Sequence, residues 1–563
     1  MRLRKQSFLI VLLILATITF SGWLVNSFST ANPDLYLSLK KNITLFKRIY
    51  EEITIRYVDE INPDEFIKAG IEGMTNKLDP YTTYVEKEEN ESLQMLTQGK
   101  YGGVGLTISK RGDFPTVEEP PFEGTPAAKA GVREGDEIIA VDKAATEKLS
   151  LSVVAERLRG KPGTPVVVQI RRPGENKTLE FRLIRDVIVI HDITYADIIQ
   201  DGVGYIRLIR FSKYAADQMR EAVVDLKNKG IKSLILDLRS NPGGLLEAAV
   251  EVANNFVPRD DLIVYTEGRT EQSNRKYYAT EEPLVPDLPL VVLVNGSSAS
   301  ASEIVAGAIQ DLDRGLIIGS RTYGKGLVQT LVPFSENSGL RLTTAKYYIP
   351  SGRLIQNLSH LNRDNQVFRQ EDQELSADTS RKVEPKEYHT KGGRIVYGGG
   401  GIKPDIEIEM PKLSNFEIAL LRQSMFFNFA VSASVKWQKP AGEVVISDDK
   451  IAEFRHYLQD KNFTFQLEGE EELQQLEKIA QTNQYGPAFT LDLEKMDQTL
   501  NQLKEKQFDH HLDFIKNSLQ QEVAAKLLGT RGQVEASFDD DPVLKTAVSV
   551  LANPTEYAMK LGK

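Results

Sequence analysis

The alternation of short apolar runs with helical patterns between Val187 and Ile349 most constrains what this chain can fold into. Leu290 to Val294 reads LVVLV, an unbroken apolar run of strand length, which suits a strand buried on both faces. Gly202 to Leu208 and Ser233 to Leu238 read as further strands, and a shorter apolar run follows at Leu316 to Ile318. Between them, Ala215 to Lys229 is amphipathic at helical spacing, Leu245 to Phe256 reads as a second helix, and a third ends near Asp311. This alternation implies α/β layers.

Two turns in this region carry residues with chemical potential. Asn295-Gly296 ends the LVVLV run, and Ser298-Ala299-Ser300-Ala301-Ser302-Glu303 opens the next helix. Serines favour helix starts, and the acidic Glu303 suits the positive end of the helix. A serine placed there faces free backbone N–H groups. Lys325 sits between Gly324 and Gly326 in a tight turn, beside Tyr323, Leu327 and Val328. A serine hydroxyl is a poor nucleophile without an adjacent base. None of the six histidines falls in either segment, and there is no G-x-S-x-G elbow. A lysine whose ammonium form is disfavoured by burial can take the proton instead. Gln329, four residues on, would reach Lys325 if that segment were helical. Ser-rich turns and Gly-flanked lysines are common, so these residues alone leave open a serine that merely caps its helix.

Asn241-Pro242-Gly243-Gly244 lies between a strand and a helix, and its exposed N–H groups are what an oxyanion hole needs. An ordinary strand-to-helix loop accounts for the same residues, whereas a phosphate-binding loop lacks its lysine pattern.

Taken together, these stretches resemble the carboxyl-terminal processing (tail-specific) serine peptidases, which use a Ser/Lys dyad. The family pattern S-A-S-A-S-E matches Ser298 to Glu303 and makes Ser300, the middle serine, the nucleophile. The family lysine, in Y-G-K-G-x-x-Q, falls on Lys325, and its helper glutamine on Gln329. The match extends to Leu236–Gly244 (LDLRSNPGG) and to Tyr397–Asp405 (YGGGGIKPD). By this resemblance the amides of Gly243 or Gly244 and of Ala301 hold the oxyanion; which glycine donates is open. The resemblance covers roughly Glu51 to Glu409 and implies a multidomain α+β chain. Its parts are a helical N-terminal cap, a PDZ domain, an α/β crotonase/Clp-like serine protease core and a helical C-terminal extension.

The flanking segments fit that plan. Arg2, Arg4 and Lys5 precede an uncharged stretch, most apolar from Phe8 to Val25, which is an export pattern; residues 1–33 are read as a signal peptide or membrane anchor. Export would place the protein in the periplasm or at the outer face of the cytoplasmic membrane. Residues 34–96 read as the helical cap, broken at Leu78-Asp79-Pro80. Residues 97–186 read as short strands with Gly/Pro turns, and Pro126–Ile138 (PAAKAGVREGDEI) gives them the look of a PDZ domain. Such domains take a peptide as an added strand and cradle its carboxylate on backbone N–H groups, here at Tyr101, Gly102, Gly103, Val104, Gly105 and Leu106. Arg157, Arg159 or Lys161 could add charge toward that carboxylate, with solvated surface as the alternative. The core is assigned to residues 187–410, with a polar excursion at about 357–388, and the helical extension to 411–563. In the extension, Leu512, Ile515, Leu519 and Val523 form one apolar stripe, Leu493, Met496, Leu500 and Leu503 another, and Gly529 would end the helix carrying the first.

Net charge −10 gives no excess of cations for nucleic acid, and the absence of cysteine excludes disulfides, thiol nucleophiles and a lipidated cysteine. No cofactor or metal is called for; His510 and His511 are adjacent and lack a third ligand. The expected partners are proteins or peptides with accessible C-termini, with an adaptor or a second copy of the chain as further options. The expected function is a serine endopeptidase that reads C-termini through its PDZ domain and cleaves through an acyl-enzyme. Two rivals are a silent PDZ-bearing scaffold, which would be expected to lose Ser300 or Lys325, and a crotonase-like acyl-CoA enzyme, which the export pattern and the PDZ segment disfavour.

Overall fold

A computed structural model describes residues 33–86, 97–335, 338–361, 386–434, 437 and 443–563. The apolar N-terminal segment and most of the excursion expected at 357–388 lie outside the described residues. Among the described residues no helix is long and apolar enough to cross a membrane.

The LVVLV run is the fourth strand of a six-stranded sheet. Its order is Ile193–Ile198, Val203–Leu208, Ser233–Asp237, Leu290–Val294, Leu316–Gly319, Ile406–Glu407. The first pair is antiparallel and the others are parallel. Successive side chains on a strand point to opposite faces, so each strand feeds two cores. Leu234, Leu236, Leu290, Val292 and Val294 pack against helices Ala215–Asn228, Leu246–Asn254 and Ala301–Asp311. Ile235, Val291, Leu293, Leu316 and Ile318 face the other way.

A parallel sheet needs both faces covered. The second cover comes from the end of the chain: Val534, Val543, Leu544, Ala547, Val548 and Leu551 pack on that face. They lie on helices Leu512–Ala536 and Pro542–Ala552. The Tyr557 hydroxyl ties this layer to the sheet, donating to the Leu290 carbonyl at 3.0 Å and accepting the Leu290 N–H at 3.0 Å.

The helical extension therefore has two parts. Its earlier helices, Asn415–Arg422, Met425–Ser434 and Asp448–Asp460, enclose a core of their own around Phe416, Phe426, Phe429 and Phe454. Ile515, Leu519 and Val523 of the first stripe enter this core. The second stripe is only half used: Leu493 is buried in a small cluster, but Met496 is 56% and Leu503 46% exposed. Gly529, at φ 75° and ψ −167°, interrupts the long helix where expected, and the helix resumes to Ala536.

The segment read as a PDZ domain forms a six-stranded antiparallel sheet around Val117, Ile138, Val166, Val168 and Leu183, with helix Leu151–Leu158 alongside. The extension seats this domain. Lys526 pairs with buried Glu134 and lies 4.0 Å over the Phe427 ring, while Arg111 lies 3.9 Å over the same ring. A Cβ on Gly135 would meet Val431 at 2.5 Å. At the N-terminus, helices Pro33–Arg56 and Pro63–Thr75 lead to strand Thr83–Glu86, which joins a second, antiparallel sheet against Ser338–Tyr348.

If the chain end is a core layer, its apolar residues carry core-sized costs. Leu544→Ala should destabilise the protein by about 2–5 kcal/mol, whereas Met496→Ala should change stability by less than about 0.5 kcal/mol. Denaturant unfolding followed through the Tyr signal would measure both.

Candidate active site

The loop after LVVLV turns sharply into its helix, and Ser300 stands at the turn with φ 56° and ψ −113°. A non-glycine residue at positive φ costs on the order of 1–3 kcal/mol and is held only by its surroundings. Its two neighbouring serines supply part of that hold. Ser298 Oγ donates to the Leu238 carbonyl (2.8 Å) and Ser302 Oγ to the Asn241 carbonyl (2.9 Å), and both residues are fully buried. Ser300 is partly exposed at the mouth of the turn.

Glu303 supplies the rest. Its carboxylate is fully buried and accepts four hydrogen bonds. They come from the Ser300 N–H (2.8 Å), the Thr322 hydroxyl (2.6 Å), the Gly324 N–H (2.7 Å) and the Lys325 N–H (2.9 Å). One side chain thus ties the serine turn to the lysine turn through their main chains. Burial pushes its carboxyl up to about 7, opposed by those four donors. Tyr347 makes a second tie: its hydroxyl donates to the Lys325 carbonyl and lies 3.1 Å from the Ser300 carbonyl.

The Lys325 side chain is partly buried, with Nζ 5.0 Å from the Tyr81 ring centre. Desolvation, helped by the nearby Arg341 charge, brings its amine down to about 8, against the opposing pull of Glu303 and Asp79. No carboxylate forms an ion pair with Lys325 among the described residues. Gln329 is in a strand, Leu327–Ser335, and not in a helix. Its amide donates to Thr343 Oγ1 across the strand pair (3.5 Å), so the helical spacing expected to bring it to Lys325 does not apply.

The Asn241–Gly244 loop lies against the serine turn. Asn241 is buried; its amide donates to the Leu208 carbonyl (2.8 Å) and its carbonyl accepts the Ala299 N–H (3.0 Å). Its Oδ1 accepts the Gly243 N–H (2.9 Å), so that donor is already spent. The N–H groups of Gly244 and Ala301 meet no acceptor among the described residues. Glycine is required at both loop positions. A Cβ on Gly243 would lie 2.9 Å from both Ala301 N and Ser300 Cβ, and one on Gly244 would lie 2.2 Å from the Phe211 carbonyl oxygen.

A groove of about 490 Å³ runs between helix Leu151–Leu158 and the segment Val104–Ile108. Tyr101, Val104, Gly105, Leu106 and Arg159 line it; Gly102 and Gly103 do not, being paired with Val187 and Asp186. Arg157 and Lys161 do not line it either, whereas Arg210 does. The residue after Arg210, Phe211, donates its N–H to the Gly243 carbonyl (3.0 Å), so the groove wall and the glycine loop share a stretch of main chain.

Glu303, Tyr347 and Asn241 organise the site; the sequence marked Glu303 only as a helix-start acid and Asn241 only as the first residue of the glycine loop, and it did not mark Tyr347. For Glu303 the local signal was the S-x-x-E spacing with Ser300, a capping-box pattern.

Residues 202–367 match the model of peptidase family S41, residues 122–172 that of the PDZ domain, and residues 416–551 that of a probable PDZ-protease C-terminal helical domain. A carboxy-terminal-processing protease of Bartonella bacilliformis is 38% identical over 322 residues, 56% of this chain and 73% of the relative. A carboxyl-terminal-processing protease of Synechocystis is 40% identical over 295 residues, 52% of this chain and 68% of the relative. Among solved structures, a photosystem II D1 C-terminal processing protease aligns over 65% of this chain and 92% of its own, at 29% identity and a TM-score of 0.34. The long match to relatives of this kind, together with the peptidase, PDZ and helical-domain matches in this chain, means that this protein belongs to the carboxy-terminal-processing proteases, serine peptidases of family S41.

Proposed function

We propose that this protein cleaves polypeptides near their C-termini, with Ser300 as nucleophile and neutral Lys325 as the base. The observation that carries the reading is the Glu303 carboxylate, bonded to the main chain of both residues. In the first step Ser300 Oγ attacks the scissile carbonyl while Lys325 Nζ takes the hydroxyl proton. The N–H groups of Gly244 and Ala301 receive the oxyanion; Gly243 is set aside because its N–H serves Asn241. Lys325 then returns the proton to the leaving amine, and water, deprotonated by Lys325, releases the acyl group. Gln329 is retained as a residue that acts on the lysine turn through its strand, since no direct bond to Lys325 supports a closer role.

The groove at Val104–Ile108 takes the substrate's C-terminal residues. The N–H groups of Gly105 and Leu106 meet no acceptor among the described residues and would cradle the carboxylate, with Arg159 and Arg210 adding positive charge. Tyr101 forms a wall of the groove, whereas Gly102 lets the backbone pass close to the Gly160 carbonyl and Gly103 leaves room for the Tyr101 ring. The basic, apolar N-terminus fits export, with the peptidase outside the cytoplasm.

Cleavage of an unstructured protein with an apolar C-terminus tests the dyad. Ser300→Ala and Lys325→Ala should each reduce kcat to near background; residual cleavage by Ser300→Ala at the wild-type rate would sink the assignment. Amidation of the substrate's C-terminus should raise KM and leave the maximal rate little changed.

The pH profile follows from the sign of the Lys325 shift. The base works only when deprotonated, so kcat/KM should level off above about 8 and fall about tenfold per unit below it. Glu303 adds to the acid side, because its protonation below about 7 removes an acceptor for the Ser300 and Lys325 amides. Glu303→Gln should lower kcat by roughly 10²-fold, the scale of a small misplacement of reacting groups. It should also leave a single acid limb in the profile. A wild-type profile in that variant would show that the carboxylate does not titrate in catalysis.

A further inference from the structure

The glycine loop is anchored at its start by a residue from the far end of the chain. Arg239 follows strand Ser233–Asp237 and immediately precedes Ser240-Asn241-Pro242-Gly243-Gly244. Its guanidinium is gripped from two sides. Asp237, buried at the strand end, accepts Nε at 3.0 Å and Nη2 at 2.6 Å. Asp541, in the chain-end layer, accepts Nη1 at 2.6 Å.

The two oxygens of Asp541 do different things. Oδ1 caps helix Pro542–Ala552, accepting the N–H groups of Val543 and Leu544 at 3.0 Å each. Oδ2 faces Arg239. The cap needs only one neutral acceptor, which Asn or Ser provides nearly as well as Asp. The second oxygen, and with it the charge, is therefore left for the arginine. A neighbouring residue reaches the same network: Phe538 packs edge-on against Tyr205 at 5.3 Å, and the Tyr205 hydroxyl donates to Asp237 (2.6 Å).

From Arg239 the restraint passes along the main chain. Ser240 is held at φ 57° with its N–H on Asn295 Oδ1 (2.9 Å), and Asn295 lies in the turn that leads to Ser300. Asn241 then fixes Gly243 and contacts the serine turn through Ala299 and Ser302. Arg239 has no contact with the groove or with Ser300 that would give it a chemical part of its own, so its place is to hold the loop.

We infer that Asp541 is a positioning residue for peptide cleavage: through Arg239 it holds the Ser240–Gly244 loop so that the Gly244 N–H faces the scissile carbonyl. This rests on the reading of Ser300 and Gly244 given above. It makes the end of the helical extension part of the machinery of cleavage, acting through the loop and not on substrate.

The test uses the full chain with Asp541→Asn and Asp541→Ser, both of which keep a capping acceptor and remove the charge. Four quantities are read: kcat and KM on a peptide with an apolar C-terminus, the rate of serine labelling by a fluorophosphonate, and the unfolding midpoint. A phosphonate places its oxygen where the oxyanion forms, so labelling reports the loop without reference to groove binding. Rates are expressed per active molecule, counted from the endpoint of labelling, so partial unfolding does not enter them. The expected result is a fall in kcat of about tenfold or more, part of the roughly 10²–10³-fold that a lost oxyanion donor costs. The labelling rate should fall in parallel, with KM unchanged and the midpoint close to wild type because the cap is kept. Wild-type kcat and labelling rate in both variants would overturn the inference. Labelling that persists in Ser300→Ala would instead refute the reading on which it rests.

Discussion

Everything at this site hangs on one buried carboxylate. Glu303 sits where water cannot reach it and where the positive end of its helix and four donors converge. A buried carboxylate without such donors would be strongly disfavoured. Satisfied as it is, it makes the strained Ser300 turn and the Lys325 turn a single unit. Glu303, with the Ser298 and Ser302 hydroxyls, holds Ser300 in its strained conformation.

The same logic extends outward in layers. The sheet is parallel and apolar on both faces, so it cannot stand until each face is covered. Helices from within residues 215–311 cover one face, and two of them, Leu246–Asn254 and Ala301–Asp311, begin at the loops that carry Gly244 and Ser300. The chain end covers the other, and it also reaches Arg239 after the end of strand Ser233–Asp237, so that burial and positioning are served by one layer. Leu544 fills the core while its neighbour Asp541 holds Arg239. The extension also grips the PDZ domain through Lys526 and Val431. Three parts that read as separate in sequence are therefore mechanically continuous.

Much of the core was legible because its signals are local. Leu290–Val294, Ala301–Asp311 and Ser233–Asp237 announce themselves by period and by the turns that bound them. Ser300 and Lys325 stood out because both lie in glycine- or serine-rich turns, and their family pattern is dense. Gln329 misled at the level of geometry: four-residue spacing suggests a helix, but Val328, Thr330, Val332 and the facing strand Ser338–Tyr348 make a β pair instead. Glu303 could be seen as a helix-start acid, yet its partners at Thr322 to Lys325 belong to another turn and leave no mark on local spacing. Asp541 was beyond reach for the same reason in stronger form. As an acid before a proline it reads as a helix cap, which it is, and nothing nearby announces that its other oxygen serves Arg239. The apolar stripe at Leu493 to Leu503 gave the right helix but could not say that half of it stays in water.

On the proposed reading of Lys325 as the base, the way Glu303 is bonded also resolves a conflict inherent in a lysine base. A carboxylate beside Lys325 could hold it in place, but an ion pair with Nζ would favour the ammonium and remove the base. Here the carboxylate bonds the Lys325 main-chain N–H, so position is fixed by the backbone while the amine lies over the Tyr81 ring. Its charge still draws the amine upward, and Arg341 and desolvation pull it down further than Glu303 and Asp79 raise it. With its own carboxyl near 7, Glu303 loses part of that charge as the pH falls, when the lysine is protonated in any case. At the pH where the amine is free, the carboxylate is ionised and accepts its four bonds most strongly. Base strength and positioning therefore peak together, on the alkaline side of neutrality, from two groups whose shifts come from the same burial.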